Sequence, residues 1–134
     1  SGVSPATPAE AVADDAGETP DAREGIVVIA DLAGFTAFAA GQDVERVHEF
    51  VTSYRDGVRR VVREGGGLLT NFIGARVMMV FGAPVAHGND ASRALRAALA
   101  LRTELARTRP AGGESLAVRA GVASGRVIAG REEG

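Results

Sequence analysis

Few residues of this sequence could do chemistry, and their types narrow what that chemistry can be. Cysteine is absent, which excludes disulfides, thiolate nucleophiles and cysteine-held zinc. Lysine is absent too: all 15 basic residues are arginines, leaving neither a Schiff-base amine nor a phosphate-gripping lysine. His48 and His87 cannot build a zinc site between them, so any metal must be held by oxygen. The oxygen donor in the most suggestive place is Asp31. It ends the apolar run Ile26-Val27-Val28-Ile29-Ala30 and precedes the small-residue turn Leu32-Ala33-Gly34-Phe35-Thr36. A carboxylate there caps a turn or holds a cation, and its position alone does not decide between them. Asn71 is similarly open, because an amide that donates and accepts serves a neighbouring strand as well as a ligand. Met78 and Met79 read as packing residues, His48 and His87 as solvated side chains, and the arginine-rich helical faces as solvent faces laced with carboxylates.

The elements that must position these residues follow from periodicity. Residues Ser1 to Glu24 are rich in Ala, Pro, Asp, Glu, Thr and Gly with scarcely a large apolar side chain, and read as a linker (1–24). The continuous β-branched run from Ile26 predicts a central strand buried on both faces and ending at Asp31. Asp43 stands at the N-cap of a helix in which Val44, Val47, Val51, Tyr54, Val58 and Val61 recur at helical spacing, stopped by Gly65-Gly66-Gly67. Leu68 to Ile73 and Arg76 to Phe81 predict two strands joined by Gly74-Ala75, a two-residue loop with glycine first, as a type II′ turn prefers. A second helix runs from Asn89 or Asp90 to about Arg107, and a strand from Leu116 to Val122 follows. After a turn at Ser124-Gly125, Val127 begins another strand. The order strand, helix, hairpin, helix, strand places the chain in the α+β class with a ferredoxin-like βαββαβ core, an antiparallel sheet carrying helices on one face. In that arrangement the end of the first strand and the tip of the hairpin share one edge, so Asp31 and Ala75 are expected to be neighbours.

Bulk properties exclude other classes. The formal net charge is −2, with both signs interspersed, so no basic stripe suggests nucleic acid as a partner. No apolar run approaches the ~20 residues that span a bilayer, and the N-terminus lacks a signal-peptide plan, which points to a cytoplasmic protein.

Three segments then become specific. Ile29-Ala30-Asp31-Leu32-Ala33-Gly34-Phe35-Thr36 resembles the opening motif of the class III adenylate/guanylate (nucleotidyl) cyclase catalytic domain, an apolar strand ending in Asp followed by x-x-Gly-Phe-Thr. Asn71 to Pro84 is similar to the family's hairpin, and Val118 to Gly125 to its fourth strand. The three occur in the family's order over about Gly25 to Gly130, identifying 25–134 as a partial domain of this kind, short at its C-terminal end.

The resemblance implies a chemistry. Such cyclases convert ATP or GTP to a cyclic nucleotide and diphosphate, using two carboxylates to hold two magnesium or manganese ions. It makes Asp31 the first metal ligand, with the backbone carbonyl of Leu32 beside it, and Ala33, Gly34, Phe35 and Thr36 a turn that aims peptide N–H groups at phosphate oxygens. Asn71 matches the position that reads the base. The second metal carboxylate falls at Ala75, whose methyl binds nothing, so only weak or partial binding of Mg²⁺ or Mn²⁺ is expected. The transition-state Asn and Arg of the family correspond to positions beyond Gly134, so no catalytic residue is expected within this chain. The family's pairing of two sheets implies a head-to-tail homodimer or a heterodimer with another cyclase domain. Two readings follow: a cyclase domain of a cyclic-nucleotide signalling protein, weakly active or inactive alone, or a degenerate module that dimerises or senses nucleotide.

Overall fold

The computed structural model describes residues 21–82 and 88–129. Among these residues four strands and three helices follow one another as β1 (Asp21–Ala33), α1 (Phe35–Ala40), α2 (Val44–Gly65), β2 (Leu68–Ile73), β3 (Arg76–Phe81), α3 (Asp90–Thr108) and β4 (Ala117–Ala129). The sheet order is β2-β3-β1-β4 and every neighbouring pair is antiparallel, the ferredoxin-like α+β arrangement expected from the element order.

Alternation along the central strands divides the sheet into two faces. Val28, Ala30 and Leu32 of β1 and Val77, Met79 and Phe81 of β3 join Phe50, Tyr54, Val58, Val61 and Val62 of α2 and Leu101 and Leu105 of α3 in the main core. The opposite face carries a small second cluster, Val27 and Val80, with Ile29 and Met78 packed against it. Cross-strand partners share a face, so this second face also presents Leu68, Asn71 and Ile73 from β2, Arg76 from β3, Asp31 from β1 and Arg119 from β4. Leu68 and Ile73 are exposed there.

α2 presents its buried residues at helical spacing and ends where Gly67 N–H reaches the Val62 carbonyl and Gly66 N–H the Arg63 carbonyl, a Schellman closure. It packs against α3 around one acidic side chain, Glu104, whose carboxylate accepts from Arg60 and Arg107. Gly57 of α2 makes room for it, since a Cβ there would overlap Glu104 Oε1.

Both helices, the hairpin and its two strands lie within a residue or so of where periodicity placed them. Three boundaries differ. β1 begins at Asp21 and continues past Asp31 to Ala33, because β4 pairs with it along the whole length, from Asp21↔Ala129 to Ala33↔Ala117. The strand β1 thus takes in the last residues, 21–24, of the stretch read as linker; residues 1–20 lie outside the described residues. Ser124-Gly125 is not a turn: Gly125 stands opposite Gly25 and β4 runs straight through it to Ala129, so the strand expected at Val127 is the continuation of β4. The turn after Asp31 closes into the short helix α1, whose Phe38 is buried in the core. Among the described residues no helix is long and apolar enough to cross a membrane.

Candidate functional site

Strand pairing assembles the site at one end of the sheet. Asp31 lies opposite Arg119 in the β1–β4 register, and Arg76 follows directly on the last β1–β3 pair, Ala30↔Val77, so three charged residues from three adjacent strands meet on the face away from the helices. Asp31 Oδ1 accepts from the Leu32 N–H at 2.8 Å, while Oδ2 lies 3.3 Å from Arg119 Nη2 and 3.9 Å from Arg76 Nη2. The first is a long hydrogen bond; the second is an ion pair beyond hydrogen-bond reach. The carboxylate is 29% exposed and the guanidinium groups are more than half exposed.

These residues line a cleft of about 380 Å³ together with Leu32, Gly34, Phe35, Thr36, Ala37, Ile73, Gly74 and Ala75. Its two walls are backbone turns. On one side Gly34 adopts φ 84°, a left-handed conformation that lets β1 pass directly into α1, and its carbonyl accepts from Phe38 N–H at 3.0 Å. Phe38 sets this wall by packing edge-on to Phe50, with ring centroids 5.9 Å apart, and Phe50 in turn stacks on Tyr54. On the other side Gly74 at φ 61°, followed by Ala75 at ordinary negative φ, makes the hairpin turn type II′. Arg55 of α2 holds that turn from behind, donating from Nε and Nη2 to the Gly74 carbonyl at 3.1 and 2.8 Å, and stacks with Arg59 over Phe72.

Of the residues singled out in the sequence, Asp31, Leu32, Gly34, Phe35, Thr36 and Ala75 share this cleft; Ala33 and Asn71 do not line it. Asn71 is exposed beside Met78 on the same sheet face, its side-chain oxygen accepting from Thr70. Arg119 and Arg55 were missed. Arg119 sits on an alternating strand whose register against Asp31 no local pattern reveals, and Arg55 looks like one more solvated helix arginine. The Tyr54 hydroxyl is buried without a hydrogen-bond partner among the described residues. Desolvation pushes its pKa far up, with the Asp31 and Glu104 carboxylates adding to the effect, so it stays a neutral phenol.

The donor set does not fit a two-metal site. Ala75 is 5% exposed and counts among the core residues, and no group of three or more His, Asp or Glu side chains able to hold a metal occurs among the described residues. A dication at Asp31 would also face both guanidinium groups, an opposition on the order of 2 kcal/mol each at 4 Å even with the screening of water.

A ferredoxin-like sheet with α2 and α3 packed on one face and, among the described residues, no helix on the other, together with a cleft between a Gly-Phe-Thr turn and a hairpin tip, is the arrangement of a nucleotidyl cyclase type of domain. The sequence matches the Adenylate and Guanylate cyclase catalytic domain family over residues 20–132, and the chain belongs to that family. Among solved structures it is similar to the guanylyl cyclase Cya2 at 26% identity, with a TM-score of 0.75, covering 86% of this chain and 60% of that one. The adenylyl cyclase CyaB from P. aeruginosa shares the fold at 24% identity and a TM-score of 0.77, covering 87% of this chain and 63% of that one. The non-canonical dimeric guanylyl cyclase domain of the RhoGC fusion protein from the aquatic fungus Blastocladiella emersonii shares it at 23% identity and a TM-score of 0.73, covering 87% and 66%. The chain therefore spans less than two thirds of the length of each of these relatives. None of the curated proteins matches the sequence.

Proposed function

We propose that the chain is the nucleotide-binding part of a class III cyclase domain in a cytoplasmic cyclic-nucleotide signalling protein, and that by itself it converts ATP or GTP to cyclic nucleotide and diphosphate weakly or not at all. The observation that carries this reading is the cleft itself. Asp31 and the Gly34 to Thr36 turn stand on one wall and the hairpin tip on the other, and Ala75, buried at that tip, is the residue that the resemblance matches to a second carboxylate. Asp31 and the Leu32 carbonyl are the residues that would touch Mg²⁺ or Mn²⁺ if either bound, and Ala33, Gly34, Phe35, Thr36 and Asn71 are assigned to the nucleotide, with Asn71 facing the base from the sheet.

The second part of the reading is assembly. Leu68 and Ile73 are exposed on the face whose centre, Val27 and Val80, is buried, and exposed apolar side chains on a sheet face that no described helix covers are suited to a second sheet. A head-to-tail homodimer, or a heterodimer with another cyclase domain, would bring that face and the cleft together. One of the solved relatives is described as a dimeric guanylyl cyclase domain, and another structure of the same fusion protein as monomeric.

The test is cyclic nucleotide production from ATP and from GTP with Mg²⁺ or Mn²⁺, for the chain and for Ala75→Asp, beside calorimetric titration of each nucleotide. Nucleotide binding with little or no turnover in the unaltered chain is the expected result. Brisk turnover by the unaltered chain would refute the impaired-site reading. Silence in the titration would remove nucleotide from the proposal and leave dimerisation alone.

A further inference from the structure

The charge arrangement in the cleft favours an anion over a cation, and this carries a consequence for how a nucleotide would be held. Two guanidinium groups and one carboxylate leave the trio of Arg76, Arg119 and Asp31 with one net positive charge. Their contacts are loose. Arg119 Nη2 stands 3.3 Å from Asp31 Oδ2, and Arg76 Nη2 3.9 Å from it. A charge-assisted N–H···O bond is ordinarily ~2.7–2.9 Å long, so neither guanidinium is committed to the carboxylate. Among the described residues Arg76 donates no hydrogen bond and the Arg119 side chain donates only to Asp31. Each guanidinium carries five donors in a planar fork, the geometry that matches phosphate oxygens. Both line the cleft between the Gly34 to Thr36 turn and the hairpin tip, and both are open to solvent.

We propose that the cleft takes the polyphosphate of a nucleotide directly on Arg76 and Arg119, without a divalent cation, the two guanidinium groups supplying the positive charge that metal ions supply to a two-carboxylate site. This rests on the nucleotide reading above and specifies it. Asp31 then changes role. Rather than recruiting charge to the site, it is a loose partner of the two arginines, and a phosphate chain competes with it for their donors.

The change of role gives an opposite sign to one measurement. In a metal-mediated site, removing the Asp31 charge weakens nucleotide binding, because the metal loses its ligand. In an arginine site, Asp31→Asn removes a competitor and a repulsive charge, so binding tightens. Asparagine keeps an oxygen for the Leu32 N–H, and the side chain stays at the protein surface, so the turn is preserved.

The experiment is calorimetric titration of the full 134-residue chain with ATP, GTP and sodium tripolyphosphate, each in excess EDTA and each with Mg²⁺. Binding in EDTA is expected for all three, unchanged or weakened by Mg²⁺. Arg76→Ala and Arg119→Ala should each weaken it by about tenfold, as loss of a hydrogen bond to a charged group does, and Asp31→Asn should tighten it severalfold. Binding that requires Mg²⁺, or that Asp31→Asn weakens, overturns the metal-free site while leaving the nucleotide reading intact. No binding of any probe in either condition overturns both.

Discussion

Among the described residues two places hold one carboxylate between two arginines, and they differ in nearly everything else. Glu104, at the α2–α3 interface, is 10% exposed and takes Arg60 Nη2 at 2.8 Å and Arg107 Nη2 at 3.0 Å. Asp31, at the sheet edge, is 29% exposed and has its arginines at 3.3 and 3.9 Å. Desolvation opposes the charge on Glu104, but the hydrogen bonds from Arg107 and Arg60 outweigh it and hold the carboxyl below its usual range. The same three charges are thus closed on themselves in one place and open to a fourth group in the other. Burial and geometry, rather than residue type, separate a fastener from a binding site.

The comparison breaks most visibly in stability. Glu104→Ala removes the largely buried acceptor that Arg60 and Arg107 share at the rim of the helix interface, and a loss of about 1–2 kcal/mol is expected from urea unfolding at neutral pH. Asp31→Asn should stay within about 0.5 kcal/mol, since its partners are solvated and its contacts long. Equal losses at the two positions would show that the cleft trio is structural after all.

Gly57 sharpens the same contrast. Glycine inside an exposed helix costs about 1 kcal/mol relative to alanine, so Gly57→Ala would ordinarily stabilise α2. Here the added methyl overlaps Glu104 Oε1, and pushing that carboxylate off its arginines reverses the sign. A net loss of about 1–2 kcal/mol is expected. A rise in melting temperature would mean that Glu104 has room to move and the interface is less closed than its distances indicate.

Acid should read out the fastener as well. Glu104 has a folded pKa below its ordinary value of 4.5, so the folded state favours its charged form. Its stabilisation is therefore complete above that value and is lost as pH falls through the lower, folded one. Glu104→Gln should flatten the acid limb of the stability profile in that window and be least stable relative to the parent at neutral pH. An unchanged acid limb would remove Glu104 from the account of acid sensitivity.

What the sequence made legible divides along the same line. The βαββαβ order, the hairpin bounds and the Asp31–Ala75 neighbourhood follow from local patterns: β-branched runs, helical spacing and a glycine-first turn. Asp31 also stood out because it ends a strand in a motif. Arg119 did not, because it acquires meaning only from the long β1–β4 register, and pairing across 88 residues leaves no local trace. The continuation of β4 through Ser124-Gly125 was hidden for the same reason: a Ser-Gly pair reads as a turn until the partner strand is known to carry Gly25 opposite it. Glu104 looked like one more charge on an arginine-rich helix, since nothing in its neighbourhood says which face α2 will cover.

Arg55 is the smallest expected effect and the one that ties helix α2 to the cleft. Its two hydrogen bonds end on the Gly74 carbonyl, one residue before Ala75, and they are solvent-exposed. Each is therefore worth little to global stability, and Arg55→Ala should cost no more than about 0.5–1 kcal/mol. The hairpin tip is another matter: Ala75 is anchored in the core, but the Cβ position at Gly74 meets nothing within 4 Å, so that half of the turn leans on Arg55. Freed from Arg55, the tip should open locally, and hydrogen exchange at the amides of residues 73–76 should quicken while that of the β1 core strand stays the same. Because Arg76 follows that tip directly, the loosened turn should also weaken tripolyphosphate binding by a few fold without altering α2–α3 stability. If exchange at the tip is unaffected, the wall of the cleft is set by the β2–β3 pairing alone, and the arginine behind it is a surface contact.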